Sequence, residues 1–236
     1  MSAAPAESPA GFRHWLRGNA WRFVLLFAAV LVPLGVFAAL ADEVHELEDL
    51  FFDEPLLWRM RGLESPALDG FFVLVSRLGY QYGVIPLDVL IVLALLGLRR
   101  WREATFAGFG FVGSALLNMG AKQFFRRDRP SLWESIAPES TYSFPSGHAM
   151  GSMTLAAVAI ALAWRTRWRW PVLLLAAAFV VAVSVSRIYL GVHYPSDILG
   201  GWCAALAWVT GVYLVLFRRH RRPWRRHRQA GLPPQA

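Results

Sequence analysis

Charge is scarce in this chain of 236 residues. Asp, Glu, Lys and Arg make up 17% of it against 56% apolar residues, too little charge for an ordinary water-exposed surface. Cysteine occurs once, as Cys203 within an apolar stretch, which excludes a disulfide framework. Lysine also occurs once, so the 24 Lys and Arg comprise Lys122 and twenty-three arginines. Internal repeats and a second domain are absent. The ends, 1–10 and 231–236, hold mostly Pro, Ala, Ser, Gly and other small or polar residues, and are expected to be disordered.

What is abundant is apolar run length. A bilayer core about 30 Å thick needs roughly 20 helical residues to cross. Six stretches approach that length: 23–40, 84–98, 106–125, 149–164, 172–189 and 198–217. The second and fourth are short and are expected to extend into their flanks. The fold class this predicts is all-α: a polytopic membrane protein of six transmembrane helices with an outer interfacial helical segment.

The net charge of +8 raises the question of nucleic acid, but its distribution points to topology. Arginines gather at Arg13, Arg17 and Arg22; at Arg99, Arg100 and Arg102; at Arg165, Arg167 and Arg169; and along 218–228. With six spans these are alternate connections, the positive-inside pattern. Between 41 and 83 there are nine acids against Arg59, Arg61 and Arg77. Both termini are therefore expected in the cytoplasm, with a tail at 1–20 and a basic tail at 218–236. Anionic-lipid contact adds to this reading of the basic tail, and no nucleic-acid partner is expected. Arg13 to Arg22, an apolar run and Ala39-Leu40-Ala41 also resemble a signal peptide with its cleavage site. The run is longer than a typical signal core, which favours a retained first helix.

Residues 42–60 carry Val44, Leu47, Leu50, Phe51, Leu57 and Trp58 at helical spacing with acids between. This suits either a helix on the outer membrane surface or a lid packed over the bundle, broken near Pro55. Residues 68–78 predict another short helix. Asp88, within the second span, belongs to a proton path or faces the bundle and is satisfied by a hydroxyl, amide or arginine. Glycines in 108–120 predict close helix packing.

Three polar clusters fall at span ends, all on the same side by the count of crossings. The first is Lys122, Arg126, Arg127 and Arg129 before Pro130, which ends or kinks its helix. Lys122, Arg126 and Arg129 share one face while that helix lasts. Snorkelling anchors are the ordinary explanation, but this end faces outside, where basic residues are scarce, so a held anion is favoured. The second, Pro145-Ser146-Gly147-His148, opens the fourth span as a helix cap or as a phosphate site built on free N–H groups. A histidine there can give or take a proton near neutral pH. The third runs from Ser186-Arg187 through His193 to Asp197. It is either a polar turn or a site where Asp197 accepts the Nδ1–H of His193 and leaves Nε2 free as a nucleophile. His148, His193 and Asp197 could ligate a dication, but four cations surround them and the acids that neutralise a metal are missing. No metal or cofactor is expected.

Together these residues resemble the type 2 phosphatidic acid phosphatase superfamily, metal-independent membrane lipid phosphatases that share a site with vanadium haloperoxidases. Its signatures Lys-x6-Arg-Pro, Pro-Ser-Gly-His and Ser-Arg-x5-His-x3-Asp are each complete, in order, and the resemblance covers roughly 84–217. It implies a catalytic helical core there, within a single membrane domain 1–236. It further implies that His193 attacks phosphorus to form a phosphohistidine and that Asp197 orients it. His148 would protonate the leaving oxygen and then help activate water. Lys122, Arg129, Ser146, Gly147 and Arg187 would hold the phosphoryl oxygens; Arg126 and Arg127 lie outside the signature and are left to a headgroup or second phosphate. The function expected is hydrolysis of a lipid phosphate or diphosphate at the outer face of the cell membrane. Undecaprenyl diphosphate, phosphatidylglycerophosphate and phosphatidic acid are the candidate substrates. A lipid phosphotransferase with a hydroxyl acceptor and a non-catalytic phospholipid-binding protein are the alternatives. Oligomeric state is left open.

Overall fold

The computed structural model describes residues 9–46 and 50–217. The ends at 1–8 and 218–236, residues 47–49 and the side chains of Arg13, Arg17 and Arg22 lie outside the described residues. Expectations that fall on them, including the basic tail, lie there too.

The described residues form eight helices and no strand: α1 Pro9–His45, α2 Asp53–Arg61, α3 Pro66–Leu78, α4 Val84–Gly97, α5 Trp101–Phe125, α6 Gly147–Ala163, α7 Arg169–Tyr189 and α8 Pro195–Leu216. Among them, four are long and apolar enough to cross a membrane: the Phe27–His45 part of α1, and α5, α7 and α8. The other two expected spans are apolar but shorter, at 14 residues for α4 and 17 for α6. Turns bound α4 at Gly83 and Leu98, and α6 gains only Gly147 and His148 beyond the expected start before the Ser146 cap.

α8 packs against α1, α5 and α6; α6 packs on α7, and α4 on α5. Phe106, Ala107, Val158, Val209 and Phe217 form the largest buried cluster. α5 and α6 also share a hydrogen bond between Ser114 and Thr154 at 2.7 Å, the kind of interhelical bond worth roughly 0.6 kcal/mol in a bilayer. The outward faces are apolar as well: Leu116, Leu174 and Leu175 are 61%, 69% and 74% exposed, a surface suited to lipid tails. Close packing at glycine holds at Gly113, where a Cβ would overlap the Trp208 ring, while Gly108 and Gly120 have open space.

Connections α4–α5 and α6–α7 lie at one end of the bundle with Arg99, Arg100, Arg102, Arg165 and Arg167. The C-termini of α5 and α7 and the N-termini of α6 and α8 meet at the other. α2 and α3 cover that second end, α2 against α7 and α8 and α3 against α7.

At four places the structure adds to or departs from expectation. α1 begins at Pro9, so helix occupies much of the stretch expected as a tail. Pro55 does not break the outer segment; it sits in the first turn of α2, where proline costs no hydrogen bond. With Leu57 fully buried, α2 takes the covering position, one of the two that its spacing allowed. Asp88 finds none of its expected partners: Oδ1 is buried without a hydrogen bond. One turn either side of it, Val84, Ile91 and Val92 belong to the apolar core and offer no donor. The helix expected over 68–78 is present as α3, started by Pro66 behind a Ser65 cap whose Oγ accepts Leu68 N–H at 3.4 Å.

Candidate active site

α5 ends at Phe125, well before Pro130, because Arg126 takes left-handed backbone (φ 47°) and caps the helix with its N–H on the Lys122 carbonyl at 3.0 Å. Lys122, Arg126 and Arg129 therefore do not share a helix face. The chain reverses at Arg126, which stays exposed with Nε on the Gln123 carbonyl at 3.1 Å, and Arg127 and Arg129 turn in across the helix ends. Lys122 is buried, and its Nζ donates to the carbonyls of Tyr142 and Ser143, fastening α5 to the segment that enters α6.

At the start of α6, Ser146 caps the helix, its Oγ accepting Ala149 N–H at 3.5 Å, and its own N–H donates to the Asp197 carbonyl at 3.1 Å. The beginnings of α6 and α8 are thus tied directly. Gly201 makes this approach possible, since a Cβ there would sit 2.9 Å from the Ser146 carbonyl oxygen. Asn118 supports the turn from α5, donating to the Pro145 carbonyl at 3.0 Å and crowding the space a Cβ on Gly147 would need.

His193 lies in the turn between α7 and α8 and is fully buried. Its Nδ1 is 3.3 Å from Asp197 Oδ2 and 3.3 Å from Ser143 Oγ, while Nε2 is 3.2 Å from Arg129 Nη1. Burial, then the nearby Arg129, Arg187 and Lys122 charges, hold its pKa well below the ordinary histidine range. The imidazole is therefore neutral at ordinary pH, and an Nδ1 proton on Asp197 leaves the Nε2 lone pair facing the cations. Asp197, also fully buried, accepts further from Ser143 Oγ and from Tyr194 N–H at 2.9 Å.

Arg129 and Arg187 converge on one carboxylate. Glu139 Oε2 accepts from Arg129 at 2.7 Å, and Oε1 accepts from Arg187. His148, its ring 5.1 Å from that of Tyr80, has Nδ1 3.7 Å from the same Oε1. Arg187 is held from behind by Ser76, and its Nε is buried with no partner. The arrangement is an anion cradle beside His193, occupied by a side chain of the loop between α5 and α6.

Several of these residues carry no sequence signal. Glu139, Asp53, Ser143, Asn118 and Ser76 lie between or before the clusters, with no spacing that ties them to the site. Arg127, which the signature leaves without a role, is 8% exposed and bonded to Asp197, Ser196 and Asp53. The acids that stand here, Asp53, Asp197 and Glu139, are each paired with arginine. Among the described residues, no three His, Cys, Asp or Glu side chains are grouped to hold a metal ion.

A family model for the PAP2 superfamily matches residues 103–221, which contain all three clusters. The chain belongs to the PAP2 superfamily. Among its relatives, phosphatidylglycerophosphatase B of Bacillus subtilis (strain 168) is 29% identical over 175 residues, 72% of this chain and 86% of that protein. The undecaprenyl-diphosphatase of Sulfolobus acidocaldarius is 31% identical over 200 residues, 80% of this chain and 87% of its own. A crystal structure of the transmembrane PAP2 type phosphatidylglycerolphosphate phosphatase from Bacillus subtilis matches with a TM-score of 0.69 at 26% identity, covering 78% of this chain and 94% of that one. The PAP2 fold therefore extends beyond the clusters to most of the helical bundle.

Proposed function

We propose that this protein is an integral-membrane phosphatase of lipid phosphates or diphosphates that works through a phosphohistidine. The observation that carries this reading is the cradle in which Arg129 and Arg187 together bind a carboxylate beside the Nε2 of a neutral His193. A phosphoryl group in place of that carboxylate would meet two guanidinium forks and the unpartnered Arg187 Nε.

In the first half-reaction, His193 Nε2 bonds to phosphorus as the P–O bond to the lipid breaks. His148, protonated as the phosphate anion enters among the cations, gives that proton to the departing oxygen, and the imidazolium charge on His193 is balanced by Asp197. In the second, water attacks the phosphohistidine, His148 takes the proton, the P–N bond breaks and phosphate leaves. Proton transfer of this kind contributes about 10²- to 10⁴-fold, with positioning and charge supplying the rest. Ser146 and Gly147, at the α6 N-terminus, and Lys122 complete the phosphate surroundings in this reading. No step draws on a metal ion.

The apolar exterior and the names of the relatives support lipid substrates. Each buried tail methylene contributes about 0.8 kcal/mol, so membrane partitioning favours a long acyl or prenyl chain over a water-soluble ester. The experiment is trapping of the phosphoprotein with a ³²P-labelled lipid phosphate in excess chelator. Wild type should yield an acid-labile, base-stable phosphoprotein and sustained turnover, and His193→Ala should yield neither. Label retained in His193→Ala, or turnover abolished by chelation and restored by a dication, would overturn the mechanism.

A further inference from the structure

We propose that Arg127 and Asp53 form a positioning pair for the nucleophile, in which α2 reaches through Arg127 to hold the aspartate that orients His193. The inference rests on reading His193 as the attacking residue.

The pair is built from short contacts among buried groups. Arg127 Nη1 donates to Asp197 Oδ1 at 2.7 Å and to Ser196 Oγ at 2.7 Å, and Nη2 donates to Asp53 Oδ2 at 3.0 Å. Asp53 accepts in addition from Ser196 N–H at 2.8 Å and Ser196 Oγ at 2.5 Å. The guanidinium lies over the Tyr194 ring, 4.1 Å from its centroid. One fork thus joins the first turn of α2 to the first turn of α8.

The division of labour on Asp197 gives this chain its direction. Oδ2 faces the reaction, receiving Ser143 Oγ, Tyr194 N–H and His193 Nδ1, and Oδ1 faces away and receives Arg127. Arg127 pins the carboxylate plane from the far side, so that Oδ2 cannot rotate off the imidazole. Arg129, two residues on, faces the other way, toward His193 Nε2 and Glu139. The reversal at Arg126 sends one arginine behind the nucleophile and the other in front of it. A headgroup contact for Arg127 is incompatible with its burial.

Planar geometry is essential here, because one cation must serve two carboxylates and a hydroxyl at fixed angles. Lysine keeps the charge but not the fork. Asp53 fixes the fork in turn, and burial raises its pKa while bonds from Ser196 and Arg127 oppose that shift. α2 therefore contributes to turnover without touching substrate.

The test is a double-mutant cycle in purified protein with one lipid phosphate substrate, kcat and KM being determined for Arg127→Lys, Asp53→Asn, Asp197→Asn and the two pairs with Asp197→Asn. Both probe variants are close in size to the residues they replace, and gel filtration and Tm report folding. Arg127→Lys should lower kcat about 10²-fold with KM nearly unchanged, because an orienting contact is lost rather than a binding one. Asp53→Asn should lower kcat about tenfold. In the Asp197→Asn background each should cost less than about threefold more, since the group it acts through is already disabled. Full multiplicative losses in that background, a change confined to KM, or unaltered kcat in Arg127→Lys would overturn the positioning role. Near-wild-type turnover of Asp197→Asn alone would overturn the reading of His193 instead. If Arg127→Lys fails to fold, Asp53→Asn carries the cycle, with the same results supporting or overturning the role.

Discussion

Glu139 is the residue whose position constrains the chemistry most. Its carboxylate holds Arg129 and Arg187, the two arginines proposed to bind the phosphoryl group, with His148 close by. On the proposed reading an incoming phosphate displaces it, and substrate binding is a competition between two anions for one cradle. Glu139→Gln keeps the shape and removes the competing charge. Inorganic vanadate should then inhibit about tenfold more tightly, equivalent to about 1.4 kcal/mol, less than a full charge-assisted hydrogen bond. An inhibition constant that stays the same or rises would show that Glu139 does not compete with the bound anion. Histidine and arginine positions were legible because their spacing is distinctive. Glu139 was not, since a lone acid in a loop carries no periodicity.

The helices act as brackets for short polar ends. α6 and α8 are clamped at their N-termini by the Ser146 N–H on the Asp197 carbonyl, and Gly201 leaves the room for it. A methyl at Gly201 would meet backbone rather than a side chain that can swing away. Gly201→Ala should therefore displace the two helix starts and cost about 1–3 kcal/mol. Activity should fall by more than the loss of folded protein explains, because His148 and Asp197 ride on those two starts. Thermal denaturation and kcat on the same preparation check this, and unchanged kcat at unchanged Tm would mean the helices slide to accommodate it. α5 teaches the opposite lesson. Helical spacing of Lys122, Arg126 and Arg129 suggested one face, yet the helix stops at Phe125, since Arg126 in left-handed backbone serves as its cap.

At the scale of the whole molecule, the arginine-rich connections and the candidate site occupy opposite ends of the bundle. If those connections are cytoplasmic, as the charge rule expects, the cradle opens on the outer face. Ser140 is exposed in the loop between α5 and α6. Ser140→Cys, with Cys203 replaced by serine, should react with an impermeant thiol reagent in intact cells. Thr166→Cys in the same background should react only after the membrane is opened. Reversed labelling would place the site in the cytoplasm and remove outer-leaflet lipids as direct substrates.

By itself the sequence determined the helical class, the apolar segments, the order of the three clusters and their gathering at one end. Those properties follow from run length, charge and local spacing, all of which act within a few turns of chain. Only the tertiary structure decided what stands between the clusters. It set the reversal at Arg126, the turning of Arg127 onto Asp197 and Asp53, the carboxylate of Glu139 in the cradle, and the covering position of α2. The reversal at Arg126 is local, but the contacts that fix the other three join groups 10 to 143 residues apart, and partner choice at such range depends on how whole helices pack.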